Sequence, residues 1–172
     1  MSSLTVLETE RLLLRQLTTE DAKFILELLN EPSFIKNIGD RGVRTTTDAH
    51  SYILNGPVTS YIKNGFGLYL VNLKATDESI GMCGLIKRDT LEDVDIGYAY
   101  LPRFWSKGYA VEAARAVKEY AKNVIGLKRI VAITDPENVG SIRVLEKIGL
   151  KFEKMVKLSE DDIDLKLFAA NI

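Results

Sequence analysis

The 172-residue chain is predicted to fold as a single mixed α/β domain. Three observations carry that prediction. A strand runs directly into a helix between Val94 and Ile125, and a second junction of the same kind lies between Arg129 and Gly149. Around them stand β-branched and aromatic segments separated by polar turns, with two helical patterns near the N-terminus.

In chain order, Thr9–Leu17 sets Leu12, Leu14 and Leu17 among charged residues and reads as the first strand. Thr18-Thr19-Glu20-Asp21 then supplies a helix start with acids in its first turn. Phe24, Ile25, Leu28 and Leu29 form the apolar face of that helix, and Pro32 closes it. The stretch Phe34–Arg44 is irregular, with Gly39 and Gly42 marking turns. A second helical region, Thr46–Lys63, must bend or split at Gly56-Pro57. Phe66–Leu73 and Ser79–Lys87 flank the polar turn Ala75-Thr76-Asp77-Glu78 and predict an antiparallel hairpin.

The segment Val94–Leu101 is β-branched, aromatic and small, and Pro102 ends it by removing a backbone donor. Ala110, Ala113, Ala114, Val117, Ala121 and Val124 then fall on one face of a helix. Arg129–Thr134 is the next strand, so strand, helix and strand form a right-handed crossover with a parallel pair. Asn138 suits the N-cap of the following helix and Gly149 the left-handed position after it. A strand at Lys151–Leu158, the acidic turn Glu160-Asp161-Asp162 and a strand at Ile163–Ala169 complete the chain. No repeat, low-complexity tract or linker divides residues 1–172.

Composition removes several function classes. Apolar residues make up 46% and charged residues 27%, ordinary values for a soluble globular protein. A formal net charge of −1 offers no global field for nucleic acid. One cysteine, Cys83, excludes an internal disulfide framework and fits a reducing, cytoplasmic address. The N-terminal residues lack the long apolar run of a membrane span or signal peptide. His50 is the single histidine, so no metal site is expected, and Cys83 within a strand reads as a buried apolar group rather than a nucleophile.

The chemistry concentrates at the two strand-to-helix junctions. The first amides of a helix have no intrahelical partner, and the helix dipole adds about half a positive charge there. Gly108 allows close backbone approach, Ala110 keeps the rim low and Lys107 adds a cation; together they suit a pyrophosphate. A plain structural turn carrying glycine is the competing reading. Glu112 reads as structural, because a carboxylate beside a pyrophosphate would repel it.

With both junctions in view, the chain resembles the acetyl-CoA-dependent N-acetyltransferases of the GNAT superfamily, in their RimJ/RimL-type branch. The resemblance rests on IGYAYLPRFWSKGYAVEA, on NVGSIRVLEKIGLKFE and on the N-terminal ETERLLLRQLTTEDA, and covers nearly the whole chain. One departure stands out: the family pattern Gln/Arg-x-x-Gly-x-Gly/Ala has Trp105 at its first position, and Ser106 stands where glycine is common. The resemblance implies a mixed, mostly antiparallel central sheet with a splayed parallel pair and flanking helices. It implies acetyl-CoA as co-substrate, with Tyr98, Ala99, Tyr100 and Leu101 along the pantetheine arm. Trp105, Ser106, Lys107, Gly108, Tyr109, Ala110 and Val111 would meet the pyrophosphate, and Asn138 and Ser141 the thioester end.

Acetyl transfer must deprotonate an amine, stabilise a developing oxyanion and protonate a departing thiolate. Ser141 matches the family position nearest the sulfur and is the candidate proton donor; otherwise it is a serine bonding backbone near a helix start. Asp95 is the candidate general base, with Glu92, Asp93 and a water chain as rivals. Tyr98 lines the groove or supplies a hydroxyl to the acceptor pocket. The expected acceptor is a protein or peptide N-terminal α-amine, then a polyamine or other small amine; nucleic acid and membrane are not expected partners, and a homodimer stays open. A non-catalytic acyl-CoA sensor and another nucleotide-binding module are the alternatives, the latter lacking GxGxxG and GxxxxGK[ST]. Glu92, Asp93, Asp95, Glu160, Asp161, Asp162 and Asp164 would form an acidic mouth favouring cationic acceptors, unless they merely solvate two turns.

Overall fold

Both junctions form as the sequence predicts, and they sit side by side at the centre of one sheet. The computed structural model describes residues 4–172. Strands β1 (Thr5–Glu8) and β2 (Leu12–Gln16) lead into helices α1 (Ala22–Leu29), α2 (Pro32–Asn37), α3 (Thr46–Ile53) and α4 (Thr59–Asn64). The hairpin β3 (Leu68–Leu73) and β4 (Ser79–Ile86) follows. The central unit is β5 (Asp95–Tyr100), α5 (Tyr109–Tyr120) and β6 (Arg129–Thr134). Helix α6 (Val139–Lys147) and strands β7 (Lys151–Val156) and β8 (Leu165–Asn171) end the chain.

The eight strands lie in the order β1-β2-β3-β4-β5-β6-β8-β7. Every neighbouring pair is antiparallel except β5 and β6. Alternation along each strand sends successive residues to opposite faces. Val71 and Cys83 pack with Ala113, Ala114 and Val117 of α5 and Leu145 of α6. Their neighbours Leu70 and Met82 pack with Ile25 of α1 and Ala49 and Ile53 of α3. The sheet is therefore covered by α5 and α6 on one face and by the N-terminal helices on the other. The small residues of α5 let it lie close against the strands, and close approach within the sheet is just as tight. A Cβ on Gly84 would stand 2.1 Å from the Gly67 carbonyl oxygen, so no side chain fits there.

Local chemistry explains where the elements differ from expectation. The predicted strand Thr9–Leu17 begins late, at Leu12, because Thr9 turns the chain by donating its amide to the Leu12 carbonyl at 2.9 Å. That turn pairs β2 with β1, an edge strand too short to show a period of its own. Pro32 opens α2 instead of only ending α1: it occupies the first helical turn, where its missing N–H is no loss. The stretch expected to be irregular thus contains a helix that buries Phe34. The predicted bend at Gly56-Pro57 is a wide turn over Leu54–Val58 between α3 and α4.

Candidate active site

The parallel pair at the centre is joined at only one register position, Asp95 opposite Val131. Val131 donates its amide to the Val94 carbonyl at 3.1 Å, and beyond that point the two strands part. β5 stays paired to β4 as far as Tyr100, and β6 stays paired to β8 as far as Thr134. Their facing edges therefore diverge while their outer edges remain held. A cavity of about 890 Å³ opens between them, with Tyr98, Ala99 and Tyr100 on one wall and Ile133 and Thr134 on the other.

At one end of the cavity the chain turns into α5. Ser106 and Gly108 both take left-handed backbone, at φ 61° and 85°. The first α5 hydrogen bond runs from the Glu112 amide to the Gly108 carbonyl at 3.0 Å, and no side chain caps the helix. Among the described residues the amides of positions 106 to 111 donate to no backbone group. Trp105 ties the turn back to β5 by donating Nε1–H to the Tyr100 carbonyl at 2.9 Å.

A brace not visible in the sequence holds this turn. Arg11 donates Nε–H to Glu112 Oε1 at 2.7 Å, its amide to Oε2 at 2.9 Å and Nη1–H to the Lys107 carbonyl at 3.0 Å. Its guanidinium also lies 4.4 Å above the centre of the Tyr109 ring. Thr9 adds a hydroxyl bond to Glu112. Burial pushes the Glu112 carboxyl up, but these bonds from Thr9 and Arg11 outweigh it and hold the group below its ordinary value. Glu112 is structural, as expected, and Arg11 neutralises it.

At the second junction the Asn138 side chain accepts the Ser141 amide at 3.2 Å and caps α6. The Tyr98 hydroxyl stands 3.0 Å from both the Ser141 carbonyl oxygen and Ser141 Oγ, bridging β5 to α6. Burial raises the Tyr98 phenol. Tyr100 is also buried, and among the described residues its hydroxyl has no hydrogen-bonding partner. Two residues expected at the groove lie elsewhere. Leu101 is fully buried in the core beneath α1 and α3, its amide bonded to the Ile80 carbonyl at 3.0 Å. Lys107 is exposed beside the turn and does not line the cavity.

Asp95 lines the cavity at the closed end of the splay and is 1% exposed. Burial raises its carboxyl to about 6, against the pull of Arg88, whose Nε–H donates to Oδ1 at 3.1 Å. The expected acidic mouth does not form. Of the acids proposed for it, only Asp95 and Asp162 line the cavity. Asp93 is drawn to Arg129 at 3.0 Å, and Asp164 stands 4.0 Å from Lys157. Lys36, Arg41 and Arg88 line the cavity instead. Cys83 is fully buried, with its thiol pushed up to about 12, and His50 is exposed on α3. Among the described residues no cluster suits a metal ion, and no helix is long and apolar enough to cross a membrane.

Comparison with known proteins agrees with this geometry. The sequence is 33% identical over 149 residues to the N-acetyltransferase YnaD of Bacillus subtilis, covering 87% of this chain and 84% of that one. It is 31% identical over 160 residues to YkkB of the same organism, covering 91% of each. A GNAT-family acetyltransferase structure from Bacillus anthracis superposes with a TM-score of 0.79 at 27% identity, over 95% of this chain and 96% of that one. RimL, a ribosomal L7/L12 alpha-N-protein acetyltransferase in complex with coenzyme A, superposes with a TM-score of 0.85 over 98% of each chain; at 16% identity that likeness concerns the fold. The family pattern for the acetyltransferase (GNAT) domain spans residues 11–151, and the chain belongs to that family.

Proposed function

We propose that this acetyltransferase moves the acetyl group of acetyl-CoA directly to a primary amine, with the N-terminal α-amine of a protein or peptide as the first-choice acceptor. The observation that carries the reading is the splay after Asp95 and Val131. It leaves the inner edge of β5 unpaired and opens it onto a cavity with a candidate base at one end and unpartnered amides at the other. The parts fit the co-substrate. The free amides at 106 to 111 suit the pyrophosphate, and Tyr98 to Tyr100 supply an apolar wall with strand backbone for the pantetheine arm. When bound, acetyl-CoA supplies the activated acyl group and a thiolate leaving group.

The chain's own residues supply the rest. Asp95, raised to about 6 by burial, is ionised at neutral pH and accepts the amine proton directly or through water. Unpaired β5 amides face the place where the carbonyl oxygen develops charge. The Ser141 hydroxyl passes a proton to the departing sulfur as it takes one from water, so that no alkoxide is left, and Tyr98 orients that hydroxyl. RimL, whose fold this chain shares, acts on a ribosomal protein's α-amine, which supports the peptide acceptor. A polyamine finds less support, because Lys36, Arg41 and Arg88 line the cavity. The test is acetyl-CoA turnover across peptides with different N-termini, free amino acids and spermidine, with acetylated products identified by mass spectrometry. Peptide acetylation is expected; turnover confined to spermidine would reject the acceptor assignment.

A further inference from the structure

Among the described residues six of the nine arginines pair with a carboxylate; Arg41, Arg115 and Arg143 do not, and of these Arg41 and Arg143 line the cavity. Arg11, Arg15, Arg44, Arg103 and Arg129 each meet a carboxylate within 4.0 Å. Arg41 meets none among the described residues, although it lines the cavity. Arg88 reaches Asp95 through Nε alone, which leaves the Nη1 and Nη2 donors of its fork without a partner among the described residues. The Arg88 side chain is 26% exposed, so that open fork sits in partial shelter rather than in bulk water.

Tyr52 joins the same corner. Burial raises its phenol, and the charges of Arg41 and Arg88 oppose that rise, so both guanidinium groups act on this hydroxyl. All three side chains border the cavity together with Asp95. The corner also lies away from the turn that suits the pyrophosphate: Asp95 opens β5 and the turn follows its far end, roughly 17 Å along an extended strand. A phosphate seated at positions 106 to 111 would leave the Arg88 fork unanswered. An arginine fork, a second guanidinium and a phenol together form a donor set for a planar carboxylate.

We propose that Arg41, Arg88 and Tyr52 recognise a carboxylate on the acceptor, so that the preferred substrate is an amine bearing a carboxylate a few bonds from its nitrogen. This rests on the reading of the protein as an amine acetyltransferase and names its acceptor class. Arg88 serves two partners at once, Asp95 through Nε and the substrate through its terminal nitrogens. That arrangement sets the amine beside the base.

Matched acceptors that differ only in the charge test the proposal: Asp-Ala-amide against Asn-Ala-amide for a side-chain carboxylate, and free serine against serinamide for an α-carboxylate. The acidic member of at least one pair should have kcat/KM about tenfold or more above its neutral twin. The pair that shows the preference locates the carboxylate. Arg41→Gln should bring that ratio close to one while the KM for acetyl-CoA changes less than about twofold. Equal rates within both pairs, or a preference for spermidine, would overturn the proposal and leave amine acetylation standing. If no amine is acetylated, the enzymatic reading fails, and calorimetry with Asp-Ala-amide in the presence of CoA still decides the carboxylate site. Binding lost in Arg41→Gln supports it, and absent or unchanged binding refutes it.

Discussion

Tyr98 and Ser141 tie β5 to α6, the tyrosine hydroxyl standing 3.0 Å from both the carbonyl oxygen and the hydroxyl of the serine. A carbonyl can only accept, so the phenol proton has a fixed place to go, and Tyr98 can then accept from Ser141 Oγ or release it toward the cavity. Ser141→Ala should lower kcat on the order of ten- to a thousand-fold with acetyl-CoA affinity nearly unchanged, since the lost bond belongs to the transition state. Tyr98→Phe should lower kcat less and also lower stability by about 1 kcal/mol, because it removes an anchor of α6. Single-turnover kinetics and denaturant melts separate the two. An Ser141→Ala enzyme with parental kcat, where chemistry is rate-limiting, removes the serine from the mechanism.

Asp95 gives a pH signature in two independent readouts. As a base raised to about 6, it must lose its proton to work, so kcat/KM should climb as pH rises through 6 and then level. Asp95→Asn should abolish that limb. For stability the sign is opposite. The folded state holds this proton more tightly than the unfolded chain, whose ordinary value is 3.8, so Asp95 favours folding below about pH 4 and loses that contribution as pH rises toward 6. The Tm of Asp95→Asn relative to the parent should therefore increase between pH 4 and pH 7, roughly the window of the shift. A constant difference would mean that the carboxyl is not raised.

The two left-handed residues of the α5 turn should respond in opposite directions. Ser106 sits at φ 61°, where a side chain costs about 1 kcal/mol, so Ser106→Gly should leave stability unchanged or raise it by up to that amount. Gly108 sits at φ 85°, and a Cβ there would lie 3.2 Å from Arg11 Nη2. Gly108→Val should lower stability and remove most of the Tm increase produced by acetyl-CoA. A folded Gly108→Val protein with the parental thermal shift would place the pyrophosphate elsewhere.

Arg11 is a positioning residue whose loss should be read in cofactor binding. Arg11→Gln removes the cation from Glu112 and frees the Lys107 carbonyl, so the KM for acetyl-CoA should rise about five- to tenfold with kcat changing less. Because the Arg11 side chain is 42% exposed, the loss of stability should stay below about 1 kcal/mol. The double variant Arg11→Gln, Glu112→Gln should recover part of the affinity, since no unpaired carboxylate then faces the phosphates. No recovery would mean that Arg11 acts by direct contact instead.

Periodicity and turn chemistry were enough to read the central unit from the sequence. The alanine face of α5, Pro102 after β5 and Asn138 before α6 are local signals, each set by dihedral preference or by a cap within a few residues. They placed the two strand-to-helix junctions together, while the roles expected of Ser141 and Asp95 came from the resemblance to the family. Strand β1 was not legible, because four residues at an edge, three half-buried and one exposed, carry no period. Pro32 was read only as a stop, although proline ends one helix and opens the next equally well.

Only the tertiary structure decided what those residues touch. Arg11 and Glu112 are 101 positions apart, and Tyr98 and Ser141 are 43 apart. Such partners meet through strand order and the splay, which no local preference encodes. The charge at the mouth was settled in the same way. The acids near β5 and β8 are clustered in sequence, yet Asp93 turns to Arg129 and Asp164 toward Lys157, while Arg41 and Arg88 arrive from separate segments of the chain. Sequence proximity sets which charges exist together on a loop. The field in a cavity depends on which side chains the fold aims into it, because at short range a charge's direction and pairing outweigh its number.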